Sequence, residues 1–288
     1  MTVVLANAPV SYGAFELTVG IMPGVPDAEK VLSEVASAGY AGIDLGPLGY
    51  LGAADEIGRN LQRHKLALSG GFVELPFHEL EKMPRALNDL GAVLDVFDAA
   101  SHNGALRPKP TLAALTRDKS ITFDADRWRR FAEGVEMATA TCRERGYEAT
   151  FHHETGTFVE TPAEIEKVLE LTSIGLCLDT GHLLLGGGDP VRALHEWRPR
   201  INHLHLKDAR RAVVEQIVRE SAPVSEIWQR HAFCRLGEGD LDVDTMLDQI
   251  RNSYSGWIVV EQDVLPEADG RPAADQRANR EYLARRGF

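Results

Sequence analysis

Four short strings in this chain gather residue types that bind cations or move protons: FHHETGT at 151–157, LCLDTGH at 176–182, INHLHLKD at 201–208 and IVVEQD at 258–263. Each follows or interrupts an apolar run, so its polar members stand where a buried strand would end. A carboxylate in such a place is costly unless paired, and a divalent cation compensates several converging carboxylates at once. Taking one ligand from each string gives Glu154, Asp179, His205 and Glu261. This set has three carboxylates, one imidazole and no thiolate; it suits Mn²⁺ best, with Mg²⁺, Co²⁺, Fe²⁺ or Zn²⁺ as alternatives. A cation held there would polarise a carbonyl and a neighbouring hydroxyl, while an adjacent carboxylate takes the proton from the next carbon. Glu154 and Glu261 are the expected proton-transferring residues.

Other polar residues surround this set. His203 and His205 alternate along one strand and share a face, which makes His203 a supporting group. His182, just beyond Asp179, is expected to contact substrate, as are Lys207 and the arginines of the segment after His205, Arg211 among them. Any single carboxylate here has an ordinary explanation as an arginine partner or helix cap. Four aligned strand ends argue for a site instead.

The elements that position these residues follow one grammar between about 30 and 265: an amphipathic run, a turn, then a short β-branched stretch ending in polar side chains. The stretches are mostly apolar along their length, as in a parallel sheet covered on both faces. Strands are expected at about 3–10, 42–46, 67–74, 93–99, 149–155, 175–180, 201–206 and 257–262. Eight parallel strands in a chain of this length predict an α/β fold, a (β/α)₈ TIM barrel forming a single domain over 1–288. No GxGxxG or Walker loop follows the first strand, which disfavours an open nucleotide-binding sheet. Two long segments, 100–122 and 209–240, are expected to wall the pocket at the strands' C-terminal ends, with a helix near Val224 to Arg230.

Composition narrows the partners. A net charge of −12 argues against nucleic acid or an anionic membrane surface and favours a small molecule. Three cysteines, Cys142, Cys177 and Cys234, form no CxxC pair, so a reducing, cytoplasmic setting is expected. No leader or membrane-spanning run is recognised.

DTGH at 179–182, GGGDP at 186–190, HLHLKD at 203–208, LGEGDLDVDTMLDQI and the closing GWIVVEQD resemble the xylose isomerase-like barrel superfamily of sugar isomerases and epimerases. They are most similar to its inosose dehydratase branch. The resemblance covers most of the chain and implies that Glu154, Asp179, His205 and Glu261 are metal ligands, with Mn²⁺ a usual occupant. It also implies a sugar or polyol substrate and association into homo-oligomers. Inosose dehydratases often carry histidine where this chain has Glu154. A glutamate there is closer to ketose 3-epimerases, which also have a substrate-contacting glutamate at the position matching Glu160. Dehydration and epimerisation both begin with proton removal next to a carbonyl, and both stay open at this point. A metal-dependent phosphodiesterase of the same barrel would need more histidines and a basic surface; a non-catalytic sugar-binding barrel is the rival outside enzymes.

Overall fold

The computed structural model describes residues 2–100, 106–267 and 269–288. Its strands are β1 (Val3–Asn7), β2 (Gly42–Ile43), β3 (Ala67–Leu68), β4 (Gly70–Leu75), β5 (Lys109–Ala114), β6 (Thr150–His152), β7 (Gly175–Asp179), β8 (Ile201–Leu206), β9 (Asp208–Ala209), β10 (Phe233–Cys234) and β11 (Gly256–Val260). The helices are α1 (Ala28–Ala38), α2 (Ala54–His64), α3 (Met83–Ala100), α4 (Ala125–Glu144), α5 (Pro162–Leu171), α6 (Thr180–Leu185), α7 (Pro190–Glu196), α8 (Arg211–Glu220), α9 (Glu226–Gln229), α10 (Val243–Ser253) and α11 (Arg271–Ala284).

The main sheet runs in the order β3-β2-β1-β11-β8-β7-β6-β5-β4 with parallel pairing throughout. Its two ends, β3 and β4, are separated only by Ser69. That residue's N–H donates to the Ile43 carbonyl at 2.9 Å, and its own carbonyl accepts from Lys109 N at 3.0 Å. The two pieces are one interrupted strand, so the sheet closes on itself as an eight-stranded (β/α)₈ barrel.

Local sequence explains the helices outside it. Asp27 and Asp124 accept hydrogen bonds from Lys30 N and Arg127 N and start α1 and α4; Thr161 and Glu164 form a reciprocal capping box at α5. Each helix buries one stripe on the barrel: Ile57 and Leu61 on α2, and Leu90, Leu94 and Phe97 on α3, all fully buried. Each such side chain contributes about 1.5–3 kcal/mol through burial. No helix among the described residues is long and apolar enough to cross a membrane.

One strand expected from the sequence is wrong. Residues 93–99 form the C-terminal half of α3, and the fourth strand of the ring is β5, inside the segment 100–122 that had been read as a pocket wall. The apolar positions Leu87, Leu90, Leu94 and Phe97 recur at helical spacing, and a short apolar run such as VLDVF does not by itself distinguish strand from helix. Pro110 hid β5. Its missing N–H is tolerated because β6, toward which that nitrogen faces, begins its pairing with β5 only one residue further on, at Thr111↔Thr150. Residues 101–105 of the same segment lie outside the described residues. The second long segment holds α8, α9 and the small antiparallel pair β9–β10, and α9 is the helix expected near Val224 to Arg230.

Candidate active site and cation centre

The DTGH string turns β7 into α6, and each of its residues has a separate task. Asp179 Oδ1 caps α6 by accepting from His182 N at 2.9 Å, which points Oδ2 into the barrel mouth. Thr180 Oγ1 donates to the Lys207 carbonyl at 2.6 Å and accepts from Lys207 N at 2.8 Å, tying the end of β7 to the end of β8. Gly181 makes room: a Cβ there would stand 2.6 Å from Lys207 Cγ. His182 Nδ1 meets Thr155 Oγ1 at 3.0 Å, and its Nε2 lies 3.3 Å from Lys207 Nζ. In HLHLKD the final Asp208 organises a loop, accepting from the backbone N–H groups of Ala209, Gly237, Gly239 and Leu241.

Sheet register brings the donors together. Asp179 and His205 are direct partners across β7 and β8, and Cys177 pairs with His203 two residues below, next to His152 on β6. Ligand-type atoms of Asp179, His205 and Glu261 lie within 4.8 Å of one another. His205 Nδ1 is 3.1 Å from Glu261 Oε2 and 3.6 Å from Asp179 Oδ2. Neither nitrogen of His205 has a hydrogen-bond partner, and Asp179 Oδ2 lacks a well-aligned donor although all are buried. Three buried donors, two carboxylates and one imidazole converging within 4.8 Å, fit a divalent cation. Glu154 lines the same pocket but belongs to none of these 4.8 Å groups among the described residues.

Lys207 is the dominant local charge. Although 2 % exposed, its ammonium touches Asp263 Oδ1 at 2.8 Å, Glu261 Oε2 at 3.0 Å and Asp179 Oδ2 at 3.2 Å. Burial opposes its charge, yet these three carboxylates hold it well above its ordinary pKa. Burial likewise opposes ionisation of Asp179, but Lys207 and His182 hold that carboxyl well below the usual range. Glu154 behaves differently: burial pushes it up to about 7, with His182 pulling the other way. Asp44, at the end of β2, is also pushed up to about 7 by burial, against the pull of His205. Burial lowers His152 to about 4 and raises Cys177, leaving a neutral imidazole and a thiol beneath the donors.

These groups open into a pocket at the C-terminal ends of the strands. Glu154, His182, His205, Lys207 and Glu261 line it, opposite Phe15, Phe72 and Trp228. Asp179 lies just behind, fully buried. Two expected substrate contacts are placed elsewhere. Arg211 donates to the Gly188 carbonyl at 2.6 Å and does not line the pocket; Glu160 is held near Gly156, also off the wall. Sequence reasoning missed Asp263, which pairs with Lys207. Its signal was the two-residue step from Glu261, the step that also joins His203 to His205. It also gave little weight to His152, whose Nε2 lies 3.5 Å from Asp179 Oδ2, and it had no sulfur in view, whereas Cys177 has its Sγ within 4.8 Å of His152 and His205 nitrogens.

A closed parallel barrel with its polar groups at the C-terminal rim defines the class of protein. The chain belongs to the family described as xylose isomerase-like TIM barrel, which matches residues 32–286. It is 30% identical over 281 residues to the inosose dehydratase of Geobacillus kaustophilus (strain HTA426), covering 92% of this chain and 90% of that one. Among solved structures, an IOLI protein with a binding zinc atom superposes with a TM-score of 0.72 at 12% identity, over 97% of this chain and 96% of that one. An L-ribulose 3-epimerase superposes with a TM-score of 0.68 at 14% identity, over 99% and 94%. At such identities the two structures speak for the fold alone.

Proposed function

We propose that this chain is a divalent-metal-dependent lyase of the inosose dehydratase type, acting on a keto-polyol by removing the proton next to its carbonyl. The observation that carries the reading is the convergence of Asp179, His205 and Glu261 at the floor of the rim pocket. The curated relative named inosose dehydratase, aligned over nine-tenths of both chains, supports the substrate class. Asp179, His205 and Glu261 would hold the cation, with Glu154 as the fourth ligand from the neighbouring strand end. The carboxylate-rich set favours Mn²⁺, and the zinc of the IOLI structure makes Zn²⁺ the first alternative. When bound, the cation supplies Lewis acidity toward a carbonyl and an adjacent hydroxyl.

The chain's own residues then divide the proton work. Glu154, at a different strand end from Glu261 and lining the same pocket, is assigned the part of base toward the substrate carbon. Loss of water next requires a C–O bond to break and the departing oxygen to gain a proton. His182, which lines the pocket 3.3 Å from Lys207, is assigned that donation, with the Lys207 ammonium beside it steadying the departing oxygen. Apolar contacts from Phe15, Phe72 and Trp228 cover the C–H face of a polyol ring and exclude water.

A second reading, ketose 3-epimerase, is favoured by one observation: Glu154 and Glu261 approach the pocket from different strands, as two-sided proton transfer requires. The test follows 2-keto-myo-inositol and a panel of free ketoses in D₂O by NMR, before and after Mn²⁺ is restored to the stripped protein. Metal-dependent deuterium incorporation with a dehydrated product supports the lyase; an inverted carbon selects the epimerase. Binding without exchange would overturn both in favour of a sugar-binding barrel.

A further inference from the structure

Beneath the donor row, three buried side chains turn ligand-type atoms toward one another, and each keeps a polar atom without a hydrogen-bond partner. Asp44 leaves β2 with its backbone and one carboxylate oxygen already committed: N donates to the Asn7 carbonyl at 2.8 Å, and Oδ1 accepts from Leu45 N at 2.8 Å. Its Oδ2 has no partner, and the residue is 5 % exposed. His203 is fully buried with both ring nitrogens unpartnered. His205 completes the trio; ligand-type atoms of Asp44, His203 and His205 lie within 4.8 Å of one another. Backbone on the far side is shaped for the carboxylate. A Cβ on Gly70 would come 2.9 Å from Asp44 Oδ2 and 2.8 Å from the Lys109 carbonyl, so only glycine leaves this space open.

The orientation of His205 decides what the trio can do. Its Nδ1 faces Glu261 and Asp179, which turns Nε2, on the opposite edge of the ring, away from both carboxylates. A second cation in this space would demand that His205 lose both ring protons. One water suits the space better. Two hydrogen bonds of about 2.8 Å meeting near the tetrahedral angle span roughly 4.6 Å, and a buried water needs two to four polar partners.

We propose that Asp44 is a positioning residue: across one water shared with His203, its carboxylate accepts the Nε2–H of His205 and so fixes the tautomer that offers the Nδ1 lone pair to the cation. The inference rests on the metal reading above. Outer carboxylates of this kind typically change metal affinity about 10–100-fold.

The test is calorimetric titration of stripped wild type, Asp44→Asn and His203→Asn with Mn²⁺, together with the visible spectrum of each Co²⁺ form. Positioning predicts Mn²⁺ affinity about 10–100-fold weaker in Asp44→Asn. It predicts a shift of the Co²⁺ ligand-field bands, a smaller loss of affinity in His203→Asn, and a chelated Asp44→Asn protein that melts no lower than wild type. A merely structural role predicts the reverse: a lower melting temperature with affinity and bands unmoved, which overturns the proposal. Lost affinity with unmoved bands also overturns it, since charge alone would then account for the effect. Wild type that binds no Mn²⁺ overturns the metal reading and this inference with it; wild type that binds while Asp44→Asn binds equally overturns this inference alone.

Discussion

The two halves of the barrel rim have different compositions. β6, β7, β8 and β11 are consecutive in the sheet, and their ends carry Glu154, Asp179, His182, His205, Lys207 and Glu261. Around the other half, β4 and the segments that follow β1 and β2 present Ala8, Pro9, Phe15, Gly46 and Phe72, interrupted by Glu16 and Asp44. The charged groups to which the proposed reaction gives an ion or a proton to share are adjacent, where register sets their spacing. A ligand's shape is met by the opposite wall, whose turns and loops have no donors to hold in line. Reaction type should therefore respond to changes in the first half and substrate preference to changes in the second.

The largest expected effect is at Glu261→Gln, which removes one donor and one candidate base together. Deuterium exchange into substrate should fall about 10³-fold or more; a ten-fold loss would break the assignment of that half to chemistry. Lys207→Met leaves Asp179, Glu261 and Asp263 facing one another without their cation. In chelated protein this should cost about 3–5 kcal/mol by denaturant titration, and added Mn²⁺ should restore much of it. Asp44 tests the buried one of the two charged exceptions in the shaping half. Burial raises its pKa from the ordinary 3.8 to about 7, so its contribution to stability is present below about pH 4 and is lost as pH rises through 7. Chelated Asp44→Asn should escape that loss, and its stability relative to wild type should increase from pH 5 to 8 by no more than about 4 kcal/mol. Saturating Mn²⁺, at about 100 times its dissociation constant, should stabilise wild type by about 2.7 kcal/mol, seen as a rise in melting temperature. Phe15→Ala should raise KM about ten-fold and leave kcat nearly unchanged, the mark of lost uniform binding. A kcat defect there would blur the division between the halves.

The donor half was legible in the sequence because its strands end abruptly in polar residues, so Glu154, Asp179, His205 and Glu261 each mark a boundary between apolar run and rim. The shaping half gave weaker signals. β2 has two residues and β5 opens on Lys-Pro, while VLDVF inside α3 reads as well in one periodicity as in the other. Arg211 and Glu160 illustrate another limit. Position in the chain placed both after a rim strand, but their hydrogen bonds to Gly188 and Gly156 are decided by loop geometry that no spacing encodes. Lys207 was identified as a substrate contact, whereas its contacts with three carboxylates depend on Asp263 and on the room left by Gly181.

The barrel closes on a seam between its first and last strands. β1 pairs with β11 from Val3↔Gly256 to Asn7↔Val260, and Asn7 Nδ2 bridges the Val260 carbonyl and Gln276 Oε1 across the same join. Glu261 is the next residue after that strand. During synthesis, a growing chain therefore carries Asp179 and His205 long before it has the third donor, and Glu261 reaches them only when the seam zips. If the proposed cation site holds, an incomplete barrel would lack it and the ion would be recruited to finished molecules. Once bound, it would clasp the last strand to the sixth and seventh of the ring, and ion release and seam opening would become linked events.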